Sequence, residues 1–159
     1  MARQIQIRQA QPDDAAAIAV VLYQSFTEYK ALYTAEGFAA TTPCQEQIED
    51  RMREGPVWVA SCDETLVGTV SAVAMGEAFY IRGMAVLPAA RGSGAGSALL
   101  RQVESWAVIE GATRIFLSTT PFLESAIHLY EKFGFQRTSE GPFDLFGTPL
   151  FTMEKSPSR

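Results

Sequence analysis

Residues 78–100 constrain the fold of this chain more than any other stretch. The apolar run Ala78 to Leu87 reads as a strand, Arg91 to Gly96 as a glycine-rich turn, and an amphipathic helix follows at once, from about Gly94 to Glu110. Glycines at 92, 94 and 96 let the backbone curl tightly and present N–H groups without Cβ hindrance. Those donors lie at a helix N-terminus, where unsatisfied amides and the macrodipole favour an anion. A phosphate-bearing ligand is the expectation, with a flexible glycine linker as the plain alternative.

Two common phosphate loops do not fit. A Walker loop ends in Gly-Lys-Ser/Thr, and no lysine occurs from 31 to 131. A dinucleotide fingerprint starting at Gly92 needs glycine where Ser97 stands, and an acidic residue at the end of the next strand, where Ser118 stands. The observed order is Arg-x-x-Gly-x-Gly, with Arg91, Gly94 and Gly96 at the motif positions, after a strand reading Gly-Met-Ala-Val. Further on, residues 126–135 read Ala-Ile-His-Leu-Tyr-Glu-Lys-Phe-Gly-Phe, with one predicted helix and one predicted strand between the two motifs. Both resemble the motifs of the GNAT superfamily of N-acetyltransferases, in the same order. The resemblance covers about half the chain.

The rest of the sequence is read as follows. Gln4 to Arg8 alternates like an edge strand, and Asp13 and Asp14 start an apolar helix to about Tyr29. Ala31 to Thr42 is expected to be irregular, and Thr42 and Pro43 open a second helix ending near Gly55. Val57–Ser61 and Leu66–Ala74 form a hairpin about Asp63-Glu64. After the main helix, with its stripe Leu99, Leu100, Val103, Trp106 and Ala107, come a strand at 114–118 and the motif helix at 122–133. A strand at 135–139, a turn-rich span at 140–147 and a last strand at 150–154 complete a single domain, 1–159, with a polar tail. Strands and helices in mixed order indicate an α/β sheet rather than a bundle. The resemblance implies the GNAT fold, a mixed, largely antiparallel sheet flanked by helices, whose two central strands splay apart.

The same resemblance implies acetyl-CoA as cosubstrate. The amides of Arg91, Gly92, Ser93, Gly94, Ala95, Gly96 and Ser97 would hold the pyrophosphate. Met84, Ala85 and Val86 would pair with the pantetheine arm as an added strand, and one of their amides would polarise the thioester carbonyl. Gly83 is a candidate bulge that starts the splay, or a packing concession. Tyr130 is the candidate acid, since a phenol of pKa near about 10 can return a proton to a thiolate whose acid lies near about 8.5. Its alternative is core packing, on the stripe Ala126, Leu129, Tyr130 and Phe133.

The chain departs from better-marked relatives at the general base. Many members carry a glutamate on one splayed strand, where Arg82 and Ser118 appear, and an asparagine seven residues before the tyrosine, where Leu123 appears. Glu77, Glu124, Asp144, His128 or water chains are the substitutes considered, and none is chosen. Phe26, Tyr29, Tyr33 and Phe38, with Phe143 and Phe146, are candidates for an aromatic acceptor wall, or equally for core packing or a homodimer surface.

Composition narrows the function classes. The net charge is −5, and all of the excess lies in residues 1–64, with ten acids against five bases. If that segment walls the acceptor side its field would favour a cationic amine; a solvated helix face is the alternative. No basic stripe with interleaved aromatics supports nucleic-acid binding. The longest aliphatic run, Ala15 to Leu22, falls far short of the ~20 residues that cross a bilayer, and no leader pattern is evident. Cys44 and Cys62 have no metal spacing and are too sparse for a disulfide scaffold, so a cytoplasmic protein without a metal is expected. The reading reached is an acetyl-CoA-dependent N-acetyltransferase acting on a primary amine of a small molecule by direct attack. A peptide or protein amine acetyltransferase and a non-catalytic acyl-CoA-binding module stand as alternatives, the latter suggested by Arg82, Ser118 and Leu123.

Overall fold

A tight turn at Asp63-Glu64 sets the register of the first half of the sheet. In the computed structural model, which describes residues 4–158, both turn residues have positive φ, 51° and 67°, the backbone that matches the twist of flanking strands in a two-residue hairpin. Strand β1 (Ile5–Gln9) pairs antiparallel with β2 (Val57–Cys62), β2 with β3 (Thr65–Met75), and β3 with β4 (Ala78–Val86). β4 then pairs parallel with β5 (Arg114–Thr119), the one parallel pairing among the described residues. β5 pairs antiparallel with β8 (Thr148–Lys155), which also carries β6 (Gln136–Arg137) and, off the main path, β7 (Phe143–Leu145). The mixed, largely antiparallel α/β sheet expected from the sequence is the one that forms.

Helices cover both faces, and the period-two geometry of β2 shows how. Val57 and Val59 face a core made with Ile18 and Leu22 of α1 (Ala15–Phe26) and Ile48 of α3 (Gln45–Glu54). Trp58 and Ala60 face the opposite core, with Leu99, Leu100, Val103 and Ala107 of α4 (Ala95–Ile109). A strand buried on both faces reads as a continuous apolar run, which is why β2 shows no polar alternation. Trp106 closes the α4 layer, stacked on Phe79 at 4.1 Å and edge-on to Trp58 at 5.6 Å. α5 (Glu124–Phe133) packs beside α4 and brings Tyr130 and Leu129 to the same core.

Several local expectations need correction. The span read as irregular contains a short helix, α2 (Ala35–Thr41). Thr34 caps it, its Oγ1 accepting from the Gly37 amide at 3.0 Å, and burial of Phe38 anchors it. The apolar helix stops at Phe26, and 3-10 turns continue to Leu32. β6 has two residues rather than five, its ladder ending with the Thr138 amide on the Thr152 carbonyl of β8 at 2.9 Å, and the turn-rich span holds β7, paired back onto β8. Cys44 is the cap of α3, its amide donating to Gln47 Oε1 at 2.9 Å. Among the described residues no helix is long and apolar enough to cross a membrane, and no cluster of His, Cys, Asp or Glu is arranged to hold a metal ion.

Leu99 is fully enclosed between α4 and the sheet. Leu99→Ala should lower unfolding stability by about 2–5 kcal/mol, measured by urea denaturation.

Candidate functional site

The site originates in an extra residue on β4. Thr69 of β3 pairs with Ala85 and Ser71 pairs with Arg82, so Gly83 and Met84 together oppose Val70. Gly83 takes φ +62°, the left-handed conformation that such a bulge assigns to glycine. β4 and β5 pair only over Ala78–Tyr80 with Arg114–Phe116, and beyond that point neither strand bonds the other. The bulge predicted at Gly83 and the predicted splay are both present. The far half of β4, including Met84, Ala85 and Val86, is left with an unpaired edge, and a cavity of about 770 Å³ fills the opened seam.

At one end of this cavity lies the glycine loop, whose three glycines answer two different demands. Gly92 and Gly94 have φ of +82° and +89° and open space where a Cβ would stand, so their need is conformational. Gly96 is helical, but a Cβ there would lie 2.7 Å from Leu129 Cδ2, so its need is the close approach of α4 to α5. The Ser93 amide bonds the Ala90 carbonyl at 3.2 Å, and the Ala95 amide bonds Ser93 Oγ at 3.3 Å. The amides of Gly92 and Gly94 have no such partner among the described residues. Those of Gly96 and Ser97 fall in the first helical turn, where the helix itself supplies no acceptor. Gly92, Gly94, Ala95, Gly96 and Ser97 line the cavity; Ser93 does not. Arg91 lines it too, with its guanidinium engaged: it pairs with Glu28 at 2.6 Å and donates to the Ser25 carbonyl at 3.4 Å, fastening the loop to the end of α1.

Tyr130 lines the cavity from α5, only 7% exposed, with its ring edge-on to Phe135 at 5.9 Å. Burial pushes its phenol well above the usual range, so the proton stays on oxygen. Of the expected aromatic wall, Phe26, Tyr29 and Tyr33 line the cavity. Tyr33 stands edge-on to Phe122 at 4.9 Å, and burial pushes its phenol up to about 12. Phe38 is packed behind Tyr33 and Tyr23. Phe143 and Phe146 are exposed on the β7–β8 hairpin, and Leu145 and Leu150 supply its lining instead.

The wall of the cavity is cationic. Arg82, Ser118 and Leu123 all line the cavity, and the charged lining residues are Arg51, Arg82, Arg91 and Lys132. No carboxylate and no imidazole appears among the described lining residues. Glu77, Glu124 and His128 are exposed and off the cavity; Asp144 is spent in a turn, accepting from the Gly147 amide at 2.9 Å. The acidic excess of the first 64 residues therefore does not reach the cavity, and the charge that this segment does contribute is Arg51. Sequence reading missed Arg51 because α3 is dense in charge, and only tertiary packing selects one of its side chains.

Comparison with known proteins places this architecture. A family model described as the acetyltransferase (GNAT) family matches residues 20–135. N-acetyltransferase 8B of Rattus norvegicus is 35% identical over 89 residues, which are 52% of this chain and 40% of that protein. The chain thus spans less than half the length of the mammalian relatives it matches. The uncharacterized N-acetyltransferase YhfO of Bacillus subtilis (strain 168) is 30% identical over 136 residues, covering 82% of this chain and 89% of its own. Among solved structures, the PaiA N-acetyltransferase of Thermoplasma acidophilum in complex with coenzyme A superposes with a TM-score of 0.81 at 19% identity, over 96% of this chain and 99% of that one. Ard1 from Thermoplasma volcanium gives 0.80 at 24% identity, over 98% and 99%. The family match runs from within the first helix to the turn that follows α5, taking in loop, seam and motif helix together, and the chain belongs to the GNAT family of acetyltransferases.

Proposed function

We propose that this chain transfers an acetyl group from acetyl-CoA to the primary amine of a small molecule by direct attack. One observation carries the reading: bare loop amides, an unpaired strand edge and a buried, protonated tyrosine all open on the same cavity. Acetyl-CoA supplies an activated acetyl group as a thioester. The amides of Gly92, Gly94, Gly96 and Ser97, with Lys132 also on the wall, suit a pyrophosphate. The free edge of Met84, Ala85 and Val86 suits the amides of a pantetheine arm by strand addition, and leaves a fixed N–H to polarise a carbonyl. Tyr130 holds the proton that a departing thiolate needs.

The lining residues include no group to take a proton from the acceptor, so the amine must bind neutral or release its proton to water. The surrounding guanidiniums assist, because a positive field disfavours the ammonium form. A small acceptor is supported by the way the rim is tied. Thr34 donates from its amide to Thr148 Oγ1 at 3.0 Å and from its hydroxyl to the Phe146 carbonyl at 2.7 Å. These bonds fasten the Tyr33 segment to the β7–β8 hairpin, and both contribute to the lining. The missing carboxylate also favours a second reading, an acyl-CoA-binding module without turnover. Thiol release from acetyl-CoA, measured across small and peptide amines, decides between them: release is expected with small amines, and coenzyme A binding with no release by any amine would establish the module.

Gly94→Val places a β-branched residue at φ +89°, so coenzyme A affinity in calorimetry should fall at least about 100-fold through distortion of the loop. Tyr130→Phe should lower kcat by roughly 100-fold while the KM for acetyl-CoA stays unchanged in steady-state kinetics. Because the cavity offers no base, kcat/KM for the acceptor should rise with pH along the acceptor's own ammonium pKa and move when that pKa is changed. Tyr130, with its pKa raised, should add no falling limb below about pH 10, as pH–rate profiles for two amines would check.

A further inference from the structure

We propose that the acceptor carries a carboxylate as well as its amine, and that this anion is seated between Arg51 of α3 and Arg82 of β4, beside the bulge. The inference rests on the acetyl-transfer reading above for the word acceptor, and on separate observations for the anion. Both side chains line the cavity. A Cβ on Gly83 would lie 2.7 Å from Arg51 Nη1. The missing side chain at the bulge is what lets the guanidinium lie over β4, next to Met84.

Neither arginine is satisfied from within the chain. Arg51 is half-buried, and its guanidinium makes no ion pair or hydrogen bond among the described residues. Burial, then the charge of Arg82, lower its pKa, yet an arginine stays protonated near neutral pH, so the site keeps its charge. Arg82 pairs through Nη2 with Glu54, a carboxylate 52% exposed to solvent, while its Nε is buried without a partner. Two guanidiniums against one carboxylate leave an excess positive charge, and no acidic lining residue offsets it. A desolvated guanidinium with unused donors is unfavourable. Its planar fork fits the paired oxygens of a carboxylate as it does those of a phosphate, and the phosphates of the cosubstrate are already assigned to the glycine loop at the other end.

Position separates this seat from the phosphate end. The glycine loop begins after Val86 and Leu87, at the far end of β4, whereas the arginines flank the residue before Met84. An acceptor held there by its carboxylate would present its amine near the strand edge that faces the thioester, with Phe26, Tyr29 and Tyr33 available to an apolar side chain. The class this describes is the amino acid or a similar carboxylate-bearing primary amine. It opposes the cationic acceptor suggested by the charge of the first 64 residues.

The test measures binding without requiring turnover. Matched pairs of N-acetyl amino acids and their uncharged N-acetyl amino acid amides, with small, aliphatic and aromatic side chains, are titrated calorimetrically into the protein loaded with coenzyme A. At least one carboxylate should bind about tenfold or more tighter than its amide. Arg51→Gln should reduce that preference to within about threefold, and Arg51→Lys should restore part of it. Coenzyme A affinity should not change in either variant. Removing one of two like charges should not lower the melting temperature, which makes Arg51→Gln safe to interpret; Arg82→Gln is the supporting variant. Equal binding within every pair, no binding by any carboxylate, or an equal loss for acid and amide on Arg51→Gln would overturn the proposal. Carboxylate-selective binding with no thiol release from acetyl-CoA and the free amino acids would instead sink acetyl transfer and leave the anion seat standing.

Discussion

The parting of β4 from β5 is the constraint on which the site depends. A sheet of this kind normally satisfies every inner backbone group with a neighbouring strand, and leaving donors and acceptors open in the interior is costly. Here the extra residue at Gly83–Met84 turns the strand, and β5 keeps its pairing with β8 while losing β4 after Tyr80. The exposed backbone is thereby concentrated along one seam, at a depth where a ligand's amides can replace a missing strand. The core under α4 and α5 continues past the seam, from Phe79 and Ile81 of β4 to Ile115 and Leu117 of β5, so the opening is held by packing on that face.

Charge is arranged along the same seam with little redundancy. The loop end offers backbone N–H groups whose orientation is fixed by glycine dihedrals, and the arginine of the motif is committed to Glu28 and Ser25. At the opposite end the side chains take over, with Arg51 laid across the bulge and Arg82 held by a solvent-facing glutamate. A cavity with only cations on its wall handles protons differently from one that owns a carboxylate. It makes the free amine easier to obtain, but takes no proton itself.

The parts of this site legible in the sequence were those governed by local rules. Alternating glycines before an apolar helix announce positive φ and an open helix start, and the motif helix announces its own face through Ala126, Leu129, Tyr130 and Phe133. Gly83 was readable as a bulge because a glycine inside a strand has few other uses. Arg51 was invisible because its role depends on the absence of a side chain on a different element. α2 escaped because it is short, interrupted by Gly37 and held mainly by burial of Phe38 and by Thr34 reaching the β7–β8 hairpin. Phe143 and Phe146 misled for the opposite reason: aromatic identity was visible, but the hairpin turns them outward. The acidic excess fits the solvated-face reading, with no carboxylate among the described lining residues; a sum over 64 residues carries no direction of its own.

The contact between Gly96 and Leu129 has a mechanical meaning. Leu129 immediately precedes Tyr130, and Gly96 lies in the first turn of the helix that presents the loop amides. Because position 96 carries no side chain, only that of Leu129 separates the two helices there, and α5 sits close against the start of α4. The spacing between the loop and the Tyr130 phenol is thus gauged by one leucine side chain, and a residue added at 96 would be met first by a shift of that flexible side chain and only then by the helices.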